Sequence, residues 1–285
     1  MITLFGKRFL TDFIAGNSSF FNKDIAIGIA KNSEYALSET NSRLGFEFYR
    51  LPVRFGGIDI DKSVSPIKYT VIYTTTLPQD ISGKINEIGL YPGARSSINF
   101  FDDKFITDFN SVFDWSPTPV TDLVNYRVGE NSLVFTSNGS AEREYTSIIE
   151  GIDLSGYSNT DSLSLSYRVN DSNLSSIKVK FYSSETDYYQ MIFDGHSVGD
   201  NIKEKTLSNL VAVGSPSKAN INKIGIVISP TSSQSSVSMD GLRINDEDTF
   251  DPTYGLIARS NINEIEKVSG RELIIEFKLD LSFGS

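Results

Sequence analysis

The 285-residue chain contains no cysteine, so neither a disulfide nor a thiolate metal site can form. It has one histidine and one tryptophan. A single imidazole without cysteine excludes zinc sites of the usual protein-only kinds. Long apolar runs are also missing, and nothing approaches the roughly 20 residues of a membrane-spanning helix. No membrane insertion is therefore expected. The opening MITLFGKRFLTDFIAG sets two basic residues before an apolar run, but Asp12 interrupts that run. It reads as mature structure, made in a cytoplasm without a signal peptide. Basic residues are scarce, with 26 Lys and Arg against 36 Asp and Glu. That balance, with no basic stripe, argues against nucleic-acid binding, which needs cations to neutralise phosphate.

Catalytic patterns are thin. A Ser-His-Asp arrangement would have to use His196, in FDGHSVGDN near Asp194 and Asp200. That stretch reads as a solvated turn without a nucleophile elbow. A carboxylate pair could cleave glycosides. Among 36 acidic residues some pair falls close by chance, and no motif selects two. The expectation is therefore no enzyme and no catalytic residue.

What is abundant is β-forming: 19 Phe, 13 Tyr, and many Val, Ile and Thr. LGFEFY (44–49) puts Leu44, Phe46 and Phe48 on one face, and IKYTVIY (67–73) groups Ile67, Tyr69, Val71 and Tyr73. ELIIEFKLDLSF aligns Leu273, Ile275, Phe277, Leu279, Leu281 and Phe283, a face that needs partner strands from before residue 100. Only 10–22 suggests a short helix. Strands are expected at 162–169, 176–182, 187–193, 223–229 and 236–244, separated by turn clusters. Charge divides the chain the same way. Residues 101–250 hold 21 acidic and 11 basic residues, whereas 1–100 plus 251–285 hold 15 of each. The fold class expected is mainly all-β: a β-rich domain of 1–100 plus 251–285, interrupted by an antiparallel β-sandwich of jelly-roll type at 101–250. YPGARSSINF and NDEDTFDPTYG read as the hinges.

One hairpin fixes a register. With SSETD (183–187) as the loop, Tyr182 faces Tyr188, Phe181 faces Tyr189, Val179 faces Met191 and Ile177 faces Phe193. The opposite face carries Lys178, Lys180, Tyr182, Tyr188 and Gln190, and the preceding strand is expected to add Ser162, Ser164, Ser166 and Arg168. Sugars stack apolar C–H faces on aromatic rings and need polar partners for their hydroxyls. These five residues are therefore the candidate glycan site. A cross-strand tyrosine pair that only stiffens the hairpin fits the same pattern. Trp115 reads as core or as a lid contact.

INEI occurs twice, at 85–88 and 262–265. The stretches NKDIAIGIAKNSEYALSETNSRLGFEFYRLPV and YTVIYTTTLPQDISGKINEIGLY resemble the N-terminal domains of phage tail-collar and tail-fibre proteins. YGLIARSNINEIEKVSGRELIIEFKLDLSF is similar to the closing strands of the same domain, and only the first INEI matches the family phrase. The resemblance implies a bacteriophage virion protein of the tail, baseplate or collar, docked through 1–100 and 251–285 to other virion proteins. It also implies a homo-oligomer, with a trimer among the symmetries. A virion protein would leave its host by lysis. The chain departs from the family in lacking a repetitive shaft, which puts the word "fibre" in doubt.

IIEGIDLSGYSNTDSLSLSYRV and SSVSMDGLRI resemble carbohydrate-binding jelly rolls. That likeness implies host-surface glycan as ligand, no required cofactor, and a structural calcium at Asp240, whose position matches the family's last-strand aspartate. A β-bulge at Asp240-Gly241 would explain the local break in strand parity without any metal. Two rival readings are a spacer or decoration protein of tail, neck or head, and a polysaccharide-degrading enzyme.

Overall fold

The computed structural model describes residues 1–15, 23–30, 37, 43–92, 104–245 and 255–282. One helix, α1 (Leu4–Ile14), precedes five strands: β1 (Lys23–Ile29), β2 (Phe46–Pro52), β3 (Arg54–Asp61), β4 (Lys68–Leu77) and β5 (Gly83–Pro92). There follow β6 (Lys104–Thr107), β7 (Trp115–Ser116), β8 (Val120–Asp122), β9 (Ser132–Thr136), β10 (Arg143–Ile152) and β11 (Ser162–Val169). Next come β12 (Leu174–Tyr182), β13 (Tyr188–Phe193), β14 (Gly199–Thr206), β15 (Val211–Val213), β16 (Ile221–Pro230) and β17 (Ser236–Asn245). The chain closes with β18 (Ala258–Lys267) and β19 (Leu273–Ser282). It divides into two compact units, Met1–Phe100 with Phe250–Ser285, and Phe101–Thr249.

The outer unit holds a four-stranded sheet in the order β18-β5-β1-β2 and a three-stranded sheet, β19-β4-β3. Every residue of β1, KDIAIGI, is buried, as befits a central strand. In β19, Ile275, Phe277 and Leu279 are buried, and Leu273 and Leu281 pack against the same core. Tyr69, Val71 and Tyr73 of β4 face Leu281, Leu279 and Phe277 across the ladder. Ile67, expected on that face, lies before β4 and is exposed, and Phe283 falls outside the described residues. The helix begins earlier than its apolar pattern suggests. Thr3 accepts the Gly6 N–H at 2.9 Å and so caps α1 one residue before Leu4. The expected hinge stretches lie mostly outside the described residues.

The two INEI copies are neighbours. β5 and β18 pair antiparallel, with Ile85 opposite Ile265, and the register slips between Asn261 and Ile265. Their environments differ: Glu87 is fully buried, whereas Glu264 is exposed.

The inner unit is an antiparallel sandwich. One sheet runs β15-β13-β12-β16-β10-β7, the other β14-β11-β17-β9-β8 with β6 against β17. Inward side chains of both sheets form one core: Ile177, Val179 and Phe181 from one, Leu163, Leu165 and Met239 from the other, with Phe135 and Trp115. Trp115 is thus a core residue, stacked on Phe109 at 5.4 Å and edge-on to Phe135 at 5.0 Å.

Candidate functional site

The sequence-derived hairpin register holds for every expected pair. All five candidate ligand residues therefore share one face of β12 and β13, outside the core. Position alternates along each strand, so Ile177, Val179 and Phe181 point inward while Lys178, Lys180 and Tyr182 point away. The serines of β11 do not join them. That strand belongs to the opposite sheet, because the chain crosses the sandwich between β11 and β12, and Ser162, Ser164 and Ser166 are buried there.

Two further strands complete the candidate face. β16 lies against β12 with Lys223 opposite Tyr182 and Gly225 opposite Lys180. β10 lies beyond, with Glu144 opposite Val227. Sequence reasoning did not select Glu142, Glu144, Lys223 or Gly225, because their strands meet β12 only in three dimensions. The polar groups form two clusters. Tyr182 Oη donates to Glu144 Oε1, and Lys180 Nζ donates to Glu144 Oε2 at 2.8 Å and to Tyr182 Oη at 3.3 Å. Lys178 Nζ donates to Glu142 at 2.5 Å, which also accepts from Ser229 Oγ at 2.7 Å.

The aromatic pair is packed rather than open. Tyr182 and Tyr188 have centroids 4.9 Å apart at 48°, with Lys180 Nζ 4.7 Å from the Tyr188 ring and Lys223 Nζ 4.6 Å from the Tyr182 ring. Beneath Tyr182 lies Gly225, where an added Cβ would sit 3.0 Å from the ring and 2.5 Å from Glu144 Oε1. Tyr182 is only 6% exposed, whereas Tyr188 and Gln190 are half-buried. Burial, and next the bond to Glu144, push the Tyr182 hydroxyl well above its ordinary range. Tyr182 thus orders the face, and Tyr188 and Gln190 present it.

Asp240 lies elsewhere, in β17 on the opposite sheet. Pairing with β11 passes from Ser166↔Gly241 to Tyr167↔Met239, so Asp240 is the extra residue of a bulge. Its carboxylate accepts from the backbone N–H of Arg127 and Val128 at 3.1–3.2 Å. Burial pushes its pKa up to about 7 against those donors. A carboxylate so occupied does not fit calcium, which takes six to eight oxygen ligands. No cluster of three or more His, Asp or Glu able to hold a metal occurs among the described residues.

His196 is held more firmly than a solvated turn would hold it. Its Nδ1 lies 2.5 Å from Tyr167 Oη, and burial lowers its pKa. Contrary to the sequence reading above, the stretch does spell G-x-S-x-G, over Gly195, His196, Ser197, Val198 and Gly199. The motif works where a strand turns sharply into a helix. Here it links strands β13 and β14, and the Ser197 hydroxyl bonds to Asn201 Oδ1 at 3.2 Å. It is a loop that crosses from one sheet of the sandwich to the other.

No family model matches this chain, and no curated protein does. Among solved structures, the chain is similar to the family 11 carbohydrate-binding module from Clostridium thermocellum in complex with a β-1,3-1,4-mixed-linked tetrasaccharide. Identity is 13% over 50% of this chain and 95% of the other, with a TM-score of 0.41. A carbohydrate-binding module of the β-sandwich superfamily aligns at 9% identity over 81% of this chain and 87% of its own, TM-score 0.36. An exo-β-agarase aligns at 11% identity over 54% of this chain but 24% of its own length, TM-score 0.36. The sandwich assignment itself rests on the chain's own two sheets and shared core.

Proposed function

We propose that this chain is a non-catalytic attachment protein of a bacteriophage particle. Its outer unit docks to tail, baseplate or collar proteins, and its inner sandwich binds host-surface glycan. The observation that carries the binding reading is the polar face of β12 and β13. Donor and acceptor groups there are held in place before any ligand arrives, Lys180 and Glu144 by Tyr182, with Gln190 alongside. Few convergent polar groups beside an aromatic surface are what orient a small polar ligand. Tyr188 supplies the ring, Gln190, Lys180 and Glu144 the hydroxyl partners, and Tyr182 positions Glu144. No metal enters this reading.

The virion part rests on the resemblance, supported by where its motif residues fall. The IAIG strand β1 and the INEIGL strand β5 lie side by side, and β18, from the far end of the chain, completes their sheet. Glu87 of the family phrase is buried against Arg259 of the closing segment.

A second reading has an observation of its own. Tyr182 is covered and the lysines already have acidic partners, as in a face that only stiffens a spacer. A glycan array probed with the full chain, alongside Tyr188→Ala and Gln190→Ala, separates the two. Binding weakened by both changes is expected. A folded protein that binds no glycan of its host would leave the spacer. Immunodetection in purified particles tests the virion assignment separately.

A further inference from the structure

The three-stranded sheet of the outer unit ends in an open edge among the described residues. β3 pairs with β4, and no strand lies on its other side. Three large apolar side chains sit there in the open: Phe55 at 63%, Ile58 at 54% and Ile60 at 51% exposure. They continue a buried surface, since Phe55, Ile58 and Ile60 lie opposite Tyr73, Val71 and Tyr69 on the face that carries Phe277 and Leu279. An open, apolar edge is a template for another strand. Charges and bulges commonly block such pairing. β3 has both: Arg54, Asp59 and Asp61, and an extra residue at Gly56, where pairing passes from Phe55↔Tyr73 to Gly57↔Ile72.

In β3 those blocking devices are arranged self-complementarily. Arg54, Gly57, Asp59 and Asp61 share the polar face of the sheet with Thr74, Ile72, Thr70 and Lys68. Laid antiparallel against a second β3 about Ile58, with Gly56 the extra residue in each copy, the strand matches itself. Ile58 meets Ile58, Gly57 meets Asp59, Phe55 meets Ile60 and Arg54 meets Asp61, so every pair shares a face. Without the skipped residue, Phe55 would oppose Asp61. Sliding the register by one pair sets Asp59 against Asp59, and by two sets Asp59 against Asp61. Like charges directly opposed are unfavourable. Sliding one pair the other way sets Arg54 against Asp59 and Phe55 against Ile58 but leaves Ile60 and Asp61 unpaired. The register about Ile58 is thus the one that pairs the whole strand without opposing like charges. Gly57, at φ +135° with nothing within 4 Å of an added Cβ, leaves room for the opposing Asp59.

We propose that β3 pairs with β3 of a second copy of this chain, antiparallel about a twofold axis at Ile58. The two three-stranded sheets then become one continuous sheet with its apolar face extended across the axis. The partner is a second copy because both members of each charge pair and each apolar pair belong to this one strand.

The absence of cysteine makes the test direct. Opposed residues in an antiparallel pair lie about 4.5–5.5 Å apart at Cα, within the span a disulfide bridges. Ile58→Cys, facing its own copy, should form a cross-linked dimer on mild oxidation. Ile60→Cys, facing Phe55, should not. By sedimentation equilibrium the unaltered full chain should be dimeric. Arg54→Asp or Asp61→Arg alone should raise the dissociation constant about tenfold or more, and the double exchange should restore it. A monomer at every concentration would overturn the proposal. So would a trimer unaffected by the exchange, or equal cross-linking through both cysteines.

Discussion

In the outer unit, distant segments of chain meet through charge. Glu87 of β5 and Arg259 of β18 form an ion pair with side chains 0% and 1% exposed. Glu87 Oε2 also accepts the Gly45 N–H at 2.8 Å. Arg259 lies opposite Gly89, so its side chain is free to run diagonally to Glu87. Its carbonyl accepts from the N-terminal amine at 2.7 Å. In the inner unit the equivalent closure is apolar, with Phe109, Trp115, Phe135 and Tyr145 forming an aromatic chain across the core. The charged lock selects which strands meet and in what register. The aromatic core stabilises whatever it encloses and selects less. The outer unit should therefore fail sharply when one charge is removed, and the inner unit in proportion to lost volume.

The largest effect expected is from Arg259→Ala. It leaves Glu87 buried without its counter-charge, and removing one member of such a pair costs about 3–5 kcal/mol. Hydrogen exchange along β5 and β18 should accelerate, while the fluorescence transition of Trp115, a reporter in the inner core, stays put. A Trp115 transition that moved by the same amount would erase the contrast. Phe135→Ala, the mirror experiment, should cost the inner unit about 3–5 kcal/mol through cavity formation. Trp115 fluorescence should then shift while exchange in β5 and β18 does not.

The next effect is pH dependence, and its sign differs between the units. Asp240, pushed up to about 7 by burial, holds its proton in the folded state but not in the unfolded one above its ordinary range. Its contribution to inner-unit stability is therefore full below about 4 and is lost as pH rises through about 7. Lys23 of β1, lowered to about 8 by burial, acts oppositely. Between about 8 and 10.5 the unfolded state binds more protons, so this group raises outer-unit stability with pH. Denaturation series with Asp240→Asn and Lys23→Met should each remove one of the two slopes. Identical slopes in parent and variant would show that the group does not titrate there.

Legibility followed the same division. The inner sandwich was readable where its sequence alternates, as along β12 and β13. β11 fell at 162–169 as expected, and every expected cross-strand pair of the β12–β13 hairpin was correct. β10, REYTSIIEGI, went unread because its buried and exposed residues do not alternate cleanly along its whole length. Glu144 was lost to the site with it. The β11 serines were misassigned because alternation gives a residue's face but not its sheet. Asp240 was legible as a bulge from the parity break, but not as a clasp on the N–H groups of Arg127 and Val128, which are distant in sequence. In the outer unit the repeated INEI did mark adjacent strands. The decisive partner, Arg259, had no local signal, since a buried arginine in β18 looks like any strand-edge charge.

The smallest effects test the contrast within the candidate face itself, where charge is again paired but burial is graded. Tyr182 is nearly covered and bonds to the Glu144 carboxylate. Tyr182→Phe should cost about 1.5–3 kcal/mol, the range for hydrogen bonds to charged groups. It should also weaken glycan binding by freeing Glu144 without touching the Tyr188 ring. The neighbouring pair has the same chemistry and more water. The Lys178 and Glu142 side chains are 22% and 50% exposed, against 13% and 30% for Lys180 and Glu144. Lys178→Ala should therefore cost only about 0–1 kcal/mol and diminish with added salt. A calorimetric series at two ionic strengths distinguishes the two positions. If Lys178→Ala proved as costly as Tyr182→Phe, solvent would not be grading these pairs.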